Sequence, residues 1–155
     1  MPSNSNTKFW IFCVSAIADV ILFDQIAKWA ARKFLTEPIE VIPNFLELAT
    51  HQNPAVAFSL PIPNAVMLFL TPIILSLLLI FLIKSVKHEA ISGAIAFGYL
   101  IGGGASNWID RLLFNSVTDF IAFSFWPVFN LADAFITVGA FMLIIGARVA
   151  PSNPA

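Results

Sequence analysis

Polar and charged residues fall in short clusters along this chain, and four long apolar runs separate them. Phe9–Ala31 holds 23 residues with three charges, Asp19, Asp24 and Lys28. Ala65–Ile83 has 19 residues and Ala90–Ile109 has 20, neither with a charge. Val128–Ala147 has 20 with one, Asp133. A helix of roughly 20 residues is about 30 Å long, the thickness of a bilayer's hydrocarbon core. The pattern predicts a mainly α, integral membrane chain with four transmembrane helices at about 9–31, 65–83, 90–109 and 128–147. No run carries a polar face wide enough for water, which sets aside a soluble bundle.

Three connections join these runs. The longest, about 32–64, contains EVIPNFLELATHQN, and its stretch around Asn44–Thr50 reads as strand. The third, about 111–127, contains TDFIAFSFW, apolar on both alternations. Such a segment is expected on the membrane surface or packed on the first loop's strands. The expected picture is a small extramembrane β-strand layer with a second loop on the same side. An even span count puts the first and third connections on one side, and both termini with KSVKHE on the other. Trp29, Trp108 and Trp126 fall on the loop side and Trp10 opposite, as interfacial belts do. Ala90, Ala94, Gly98, Gly102 and Ser106 recur every four residues, a ridge of small side chains suited to close helix approach.

Composition supports the membrane reading. The chain has 155 residues, 59% hydrophobic and 11% charged, where soluble domains carry about 25% charge. Four spans leave room for a single membrane domain over 1–155. A net charge of −1 excludes a broad basic surface, so no nucleic-acid partner is expected. With the N-terminus inside, Lys8, Lys84, Lys87 and Arg148 lie on one side and Arg32, Lys33 and Arg111 on the other, a weak positive-inside excess. The first run is too long for a signal-peptide core, and no small-x-small site with a polar mature start follows, so an uncleaved helix is expected. Cys13 has no partner cysteine and reads as a packed thiol.

The polar residues inside and beside the spans gather on one side. Asp24 and Lys28 are spaced i, i+4, which fits an ion pair that is structural in the plainest reading. Asn107, Asp110 and Arg111 share a helix face, and a fold-holding pair of Asp110 with Arg111 is the plain reading there. Asp119 lies in the third connection, Asn53 and Ser59 in the first. Asn130 and Asp133 are one turn apart, with Asp133 about 8 Å into its run at helical rise. Carboxylates at such depth are costly and are functional by default. Asp19, deeper in the first run, has no evident partner. Gly102–Gly104 lacks the lysine and strand of a phosphate loop. His51 and His88 stand alone on opposite sides, so neither a metal nor a cofactor is expected. Three readings remain open at this point: a hydrolase using paired carboxylates, a proton relay in a transporter or channel subunit, and a structural membrane subunit.

Five ordered motifs resemble those of the lipoprotein signal peptidases (signal peptidase II), bacterial intramembrane aspartyl proteases. The resemblance covers nearly the whole chain. The family's LDQ-x-[ST]-K reads here as FDQIAK, with Asp24, Gln25 and Lys28. Its N-x-GAAFS reads as NPAVAFS, with Asn53, Phe58 and Ser59. GNLxDR reads as SNWIDR, with Asn107, Asp110 and Arg111, and V-x-DFI reads as VTDFI, with Asp119. FNxADxxIxxG reads as FNLADAFITVG, with Asn130, Ala132, Asp133 and Gly139. Ala55, Val56 and Ser106 depart from the pattern, and the stretch between Asp119 and Asp133 is short for the family.

The resemblance implies an aspartic endopeptidase with Asp119 and Asp133 as the catalytic pair. It implies substrate-binding or site-supporting roles for Asn53, Asn107, Arg111, Asn130, Asp24 and Lys28, a structural role for Asp110, and no metal. The implied substrate is a prolipoprotein carrying diacylglycerol, cut just before the lipidated cysteine. The implied setting is the bacterial inner membrane, among membrane lipids, as a multi-pass monomer. Both termini would be cytoplasmic and the active site near the outer face.

Overall fold

The structure is a computed structural model that describes residues 4–54, 63–85 and 91–149. Ala55, Val56, Phe58, Ser59, Lys87, His88 and Ala90 lie outside the described residues. Four helices and three strands follow in the order α1 (Asn4–Phe34), β1 (Ile39–Ile42), β2 (Leu46–Asn53), α2 (Asn64–Ser85), α3 (Ile91–Phe114), β3 (Val117–Phe123) and α4 (Leu131–Val149).

Helix α3 is the hub. It packs against α1, α2 and α4, and among the described residues the backbone of α2 runs close to no helix but α3. The small-residue ridge makes this possible. A Cβ added at Gly98 or Gly102 would meet α1 at Cys13, Ala16, Ile17 and Val20, so the two backbones run nearly in contact. The other face of α3 meets α4 as closely. A Cβ on Gly103 would lie 2.7 Å from the carbonyl oxygen of Ala132, and one on Gly139 would lie 2.7 Å from that of Ala96. Gly103→Val is therefore expected to push the first turn of α4 off α3. It should lower stability by about 1–3 kcal/mol, read as an earlier thermal unfolding midpoint in detergent. A midpoint equal to wild type would show that the approach is not tight.

The burial pattern is inverted relative to a water-soluble protein. Large apolar side chains such as Phe12, Phe23, Phe69, Leu77, Phe81 and Phe141 point outward, while Asp24, Lys28, Asp110, Thr118 and Asn130 are fully buried. Contiguous exposed apolar surface of this kind calls for a lipid or protein covering. Helices α1 (over Asn6–Phe34) and α2 (over Asn64–Lys84) are long and apolar enough to cross a membrane. The apolar part of α4, Leu131–Gly146, is shorter. Thus two of the four expected spans meet that measure. Cys13 is buried in a small apolar core with Phe9, Leu82, Ala94 and Phe97.

The expected strand layer is a three-stranded antiparallel sheet in the order β1-β2-β3, and the third connection supplies one of its strands. Asn115, at φ 57°, ends α3 in the left-handed region, where asparagine is tolerated. The chain then enters β3 within two residues. There Val117 pairs with Asn53 and Asp119 with His51, and a bulge lies between Leu48 and His51. Phe129 bridges to Ile121. That bridge holds Phe129 against β3 before the helix begins, so α4 starts at Leu131 rather than at Val128. At its other end α3 runs to Phe114, five residues beyond the apolar run.

Candidate active site

The first turn of α4 carries Asp133 and is built by its own sequence. Asn130 is the N-cap. Its Oδ1 accepts a hydrogen bond from the backbone N–H of Asp133 at 3.0 Å, and the Asn130 N–H points back to Asp133 Oδ2 at 3.4 Å. This is the reciprocal geometry of a capping box, with asparagine and aspartate in the two roles. A third amide, that of Ala132, donates to Asp24 Oδ1 of α1 at 2.9 Å. Asp133 is thus not a charge stranded in mid-span. It is the third residue of a helix, where a carboxylate suits the dipole.

Asp119 comes from β3 and is buried. Asn53 Nδ2 donates to its Oδ2 at 2.8 Å and Asn130 Nδ2 to its Oδ1 at 2.6 Å. Asn107, on α3, donates from Nδ2 to Asp133 Oδ1 at 2.8 Å. The second N–H of Asn130 reaches Asn107 Oδ1 at 3.2 Å. Two asparagines therefore join the two carboxylates in one chain: Asp119, Asn130, Asn107, Asp133. The charge of Asp133 also acts on Asp119.

Behind them lies a charged layer that ties α1 to α3 and β3. Lys28 Nζ is 2.7 Å from Asp24 Oδ2, 2.7 Å from Asn107 Oδ1 and 3.7 Å from Asp110 Oδ2. Arg32 is 3.5 Å from Asp110 and donates to Thr118 Oγ1 at 2.8 Å. Asp110 also accepts from the Thr118 amide at 2.9 Å and from Gln25 Nε2 at 3.1 Å. Ser106 Oγ donates to Asp24 Oδ2 at 2.7 Å and accepts from Gln25 at 3.0 Å. The expected Asp24–Lys28 pair is one part of this larger network. Arg111 donates to the Asn107 carbonyl at 3.4 Å, and its charge acts on Asp133 and Asp119 ahead of Asp110.

All the expected site residues except Ser59 are described, and they converge at this one end of the helices. Asp19 does not join them; it is exposed on the outside of α1. Arg32, Ser106 and Thr118 belong to the network yet were not singled out for the site. A signal for Arg32 existed, since residues 24, 28 and 32 step by four along one helix face. Among the described residues no group of three potential ligands could hold a metal ion.

Burial pushes the Asp119 carboxyl up from 3.8 to about 6. Hydrogen bonds from Asn53 and Asn130 and the charge of Lys28 pull it down, and Asp133 pushes it up. The folded chain thus binds this proton more tightly than the unfolded one. The resulting stabilisation is full below the ordinary value and is lost as pH rises through about 6. Asp119→Asn, which cannot ionise, should gain thermal stability relative to wild type as pH goes from 4 to 8. Unfolding midpoints of the two that stay parallel across this range would contradict the assignment.

The fold is that of a membrane enzyme. It superposes on a bacterial membrane enzyme solved by the in meso method at 2.3 Å with a TM-score of 0.82 and 30% identity, covering 92% of this chain and 91% of that one. A second such structure, at 1.9 Å, gives 0.79 and 29% identity over 90% of this chain and 94% of the other. The chain belongs to the signal peptidase II family, whose sequence model, described as signal peptidase (SPase) II, matches residues 16–149. It is 36% identical over 147 residues to the lipoprotein signal peptidase of Pelodictyon phaeoclathratiforme, covering 84% of this chain and 86% of the relative. It is 32% identical over 151 residues to that of Neisseria gonorrhoeae, covering 92% and 90%.

Proposed function

We propose that this chain is an aspartyl endopeptidase that removes signal peptides from diacylglyceryl-modified prolipoproteins, cutting just before the lipidated cysteine. The observation that carries the reading is the wiring of Asp119 and Asp133 through Asn130 and Asn107. Two carboxylates held this way can share one proton. One takes a proton from water as the water attacks the scissile carbonyl. The other donates to the carbonyl oxygen, and the amine leaves with a proton returned from the pair. Acid and base are properties of the pair, because coupled groups titrate together. Asn53 and Arg111, at the edge of the pair, are suited to hold the substrate backbone.

The substrate's setting agrees with the architecture. All four helices span in this reading, α3 and α4 being sheltered by their neighbours, and the chain acts as one domain and as a monomer. Both termini are cytoplasmic, and the sheet and site lie at the outer face of the bacterial inner membrane. Because the backbone of α2 runs close to α3 and not to α4 among the described residues, a signal helix can enter sideways between α2 and α4 while the acyl chains stay among the membrane lipids. The first and third connections then flank the peptide. A proton relay is less apt, because its carboxylates should be spread across the membrane, whereas Asp24, Asp110, Asp119 and Asp133 collect at one end.

The test is cleavage of a purified prolipoprotein, with and without its diacylglyceryl group, followed by mass spectrometry of the products. The expected result is one cut before the cysteine in the lipidated form only, lost in Asp119→Asn and in Asp133→Asn. Cleavage by either variant at the wild-type rate would remove the aspartyl mechanism. Equal cleavage of the unlipidated form would remove the substrate assignment.

A further inference from the structure

We propose that Lys28 is a positioning residue for the reaction, acting on Asp133 through Asn107 by fixing which end of the Asn107 amide faces that carboxylate. This rests on Asp119 and Asp133 being the reacting pair.

The argument begins with what each group can do. An ammonium has three donors and no acceptor. Lys28 Nζ stands 2.7 Å from one terminal atom of Asn107, so that atom is the amide oxygen. Asn130 Nδ2 also approaches it, at 3.2 Å, and needs an acceptor there too. The orientation of Asn130 is itself set, since its own oxygen receives the Asp133 backbone N–H. The Asn107 NH₂ group is left on the Asp133 side, 2.8 Å from Oδ1. An oxygen that faces an N–H donor cannot carry a proton directed at that donor. A proton on Asp133 is thereby disfavoured on Oδ1 and favoured on Oδ2, whose protein partner is the more distant Asn130 N–H at 3.4 Å. Lys28, fully buried, thus biases the proton's seat on one half of the pair.

The charge of Lys28 adds a second effect. Its field reaches Asp119, outside the spans, and favours the ionised form there. The charged groups around it are Asp24 on its own helix, Asp110 and Arg111 on α3, Asp119 on β3 and Asp133 on α4, with Arg32 paired to Asp110. Asp24 and Arg32 with Asp110 would serve a purely structural network equally well. The short bond from Lys28 to Asn107 is the part that such a network does not require.

The measurement is the pH profile of kcat on a lipidated prolipoprotein. Lys28→Met alone leaves Asp24 without its cation, so the decisive comparison is Asp24→Asn against Asp24→Asn with Lys28→Met. These two differ by the ammonium and share the same neutral partner. Loss of the ammonium should move the whole profile to higher pH by about one unit and lower its maximum. Lys28→Arg, which keeps a cation and a donor, should leave the profile near its wild-type position. Superimposable profiles in the decisive pair, or an equal shift in Lys28→Arg, would overturn the role of Lys28. Retained activity in Asp119→Asn or Asp133→Asn would instead remove the pair on which the inference stands, so the two failures are told apart.

Discussion

Asp133→Asn is expected to lower kcat on a lipid-modified prolipoprotein by about a thousandfold or more, with the folded chain intact. Acid–base catalysis by a placed side chain contributes roughly 10²–10⁴-fold, and an amide can neither take a proton from water nor share one with Asp119. The fold should tolerate the change because the cap is mostly backbone. The N–H of residue 133 still reaches Asn130 Oδ1, and the new amide oxygen can accept from Asn107 as Oδ1 does now. Lost turnover with a wild-type unfolding midpoint therefore separates chemistry from structure. A kcat within tenfold of wild type would mean that Asp133 serves the helix start alone.

The largest loss of stability is expected at Asp24. Asp24→Ala removes the 2.7 Å partner of Lys28, the acceptor of Ser106 Oγ and the acceptor of the Ala132 amide in one step. Lys28 would keep an ion pair only with Asp110, at 3.7 Å, among the described residues. Breaking a buried ion pair from one side costs about 3–5 kcal/mol, a large share of a typical 5–15 kcal/mol of total stability. Low yield and a sharply reduced unfolding midpoint in detergent should follow. Asp24→Asn should lose less, since an amide oxygen can still accept from Ala132. Asp19→Ala is the control: its side chain is exposed, and in detergent the change should be within about 0.5 kcal/mol. An Asp24→Ala chain as stable as the control would show that the buried layer carries little of the fold's stability.

Much of this was readable from the chain, and what was not has identifiable causes. The four helices were visible as apolar runs, and the four-residue ridge of small side chains correctly marked the face of α3 that meets α1. Hydropathy misplaced the start of α4. It treats Val128 and Phe129 as span, whereas Phe129 bridges to Ile121 and its ring stacks on Phe123. With the start moved to Leu131, the three-residue spacing of Asn130 and Asp133 becomes a capping signal, which was present in the sequence but hidden by the wrong boundary. The third strand was obscure because TDFIAFSFW is apolar on both faces and gives no clean alternation. The second α3–α4 contact, through Gly103 and Gly139, needs positions from two helices at once, which a single-helix pattern does not supply. The partners of Asp110 were likewise only partly visible: beside the adjacent Arg111, whose charge it feels, the carboxylate meets Gln25, Lys28, Arg32 and the Thr118 amide.

Asn130 starts a helix and, with the same side chain, holds the Asp119 carboxylate. Local order and readiness for chemistry are therefore one event in this chain. On the proposed mechanism, a molecule whose fourth helix begins a turn early or late is expected to be inactive rather than slow, because Asp119 then loses Asn130 and the link through it to Asp133. Specific activity in a preparation should accordingly count correctly registered molecules, and partial activity should reflect a mixture of two populations rather than a uniform loosening.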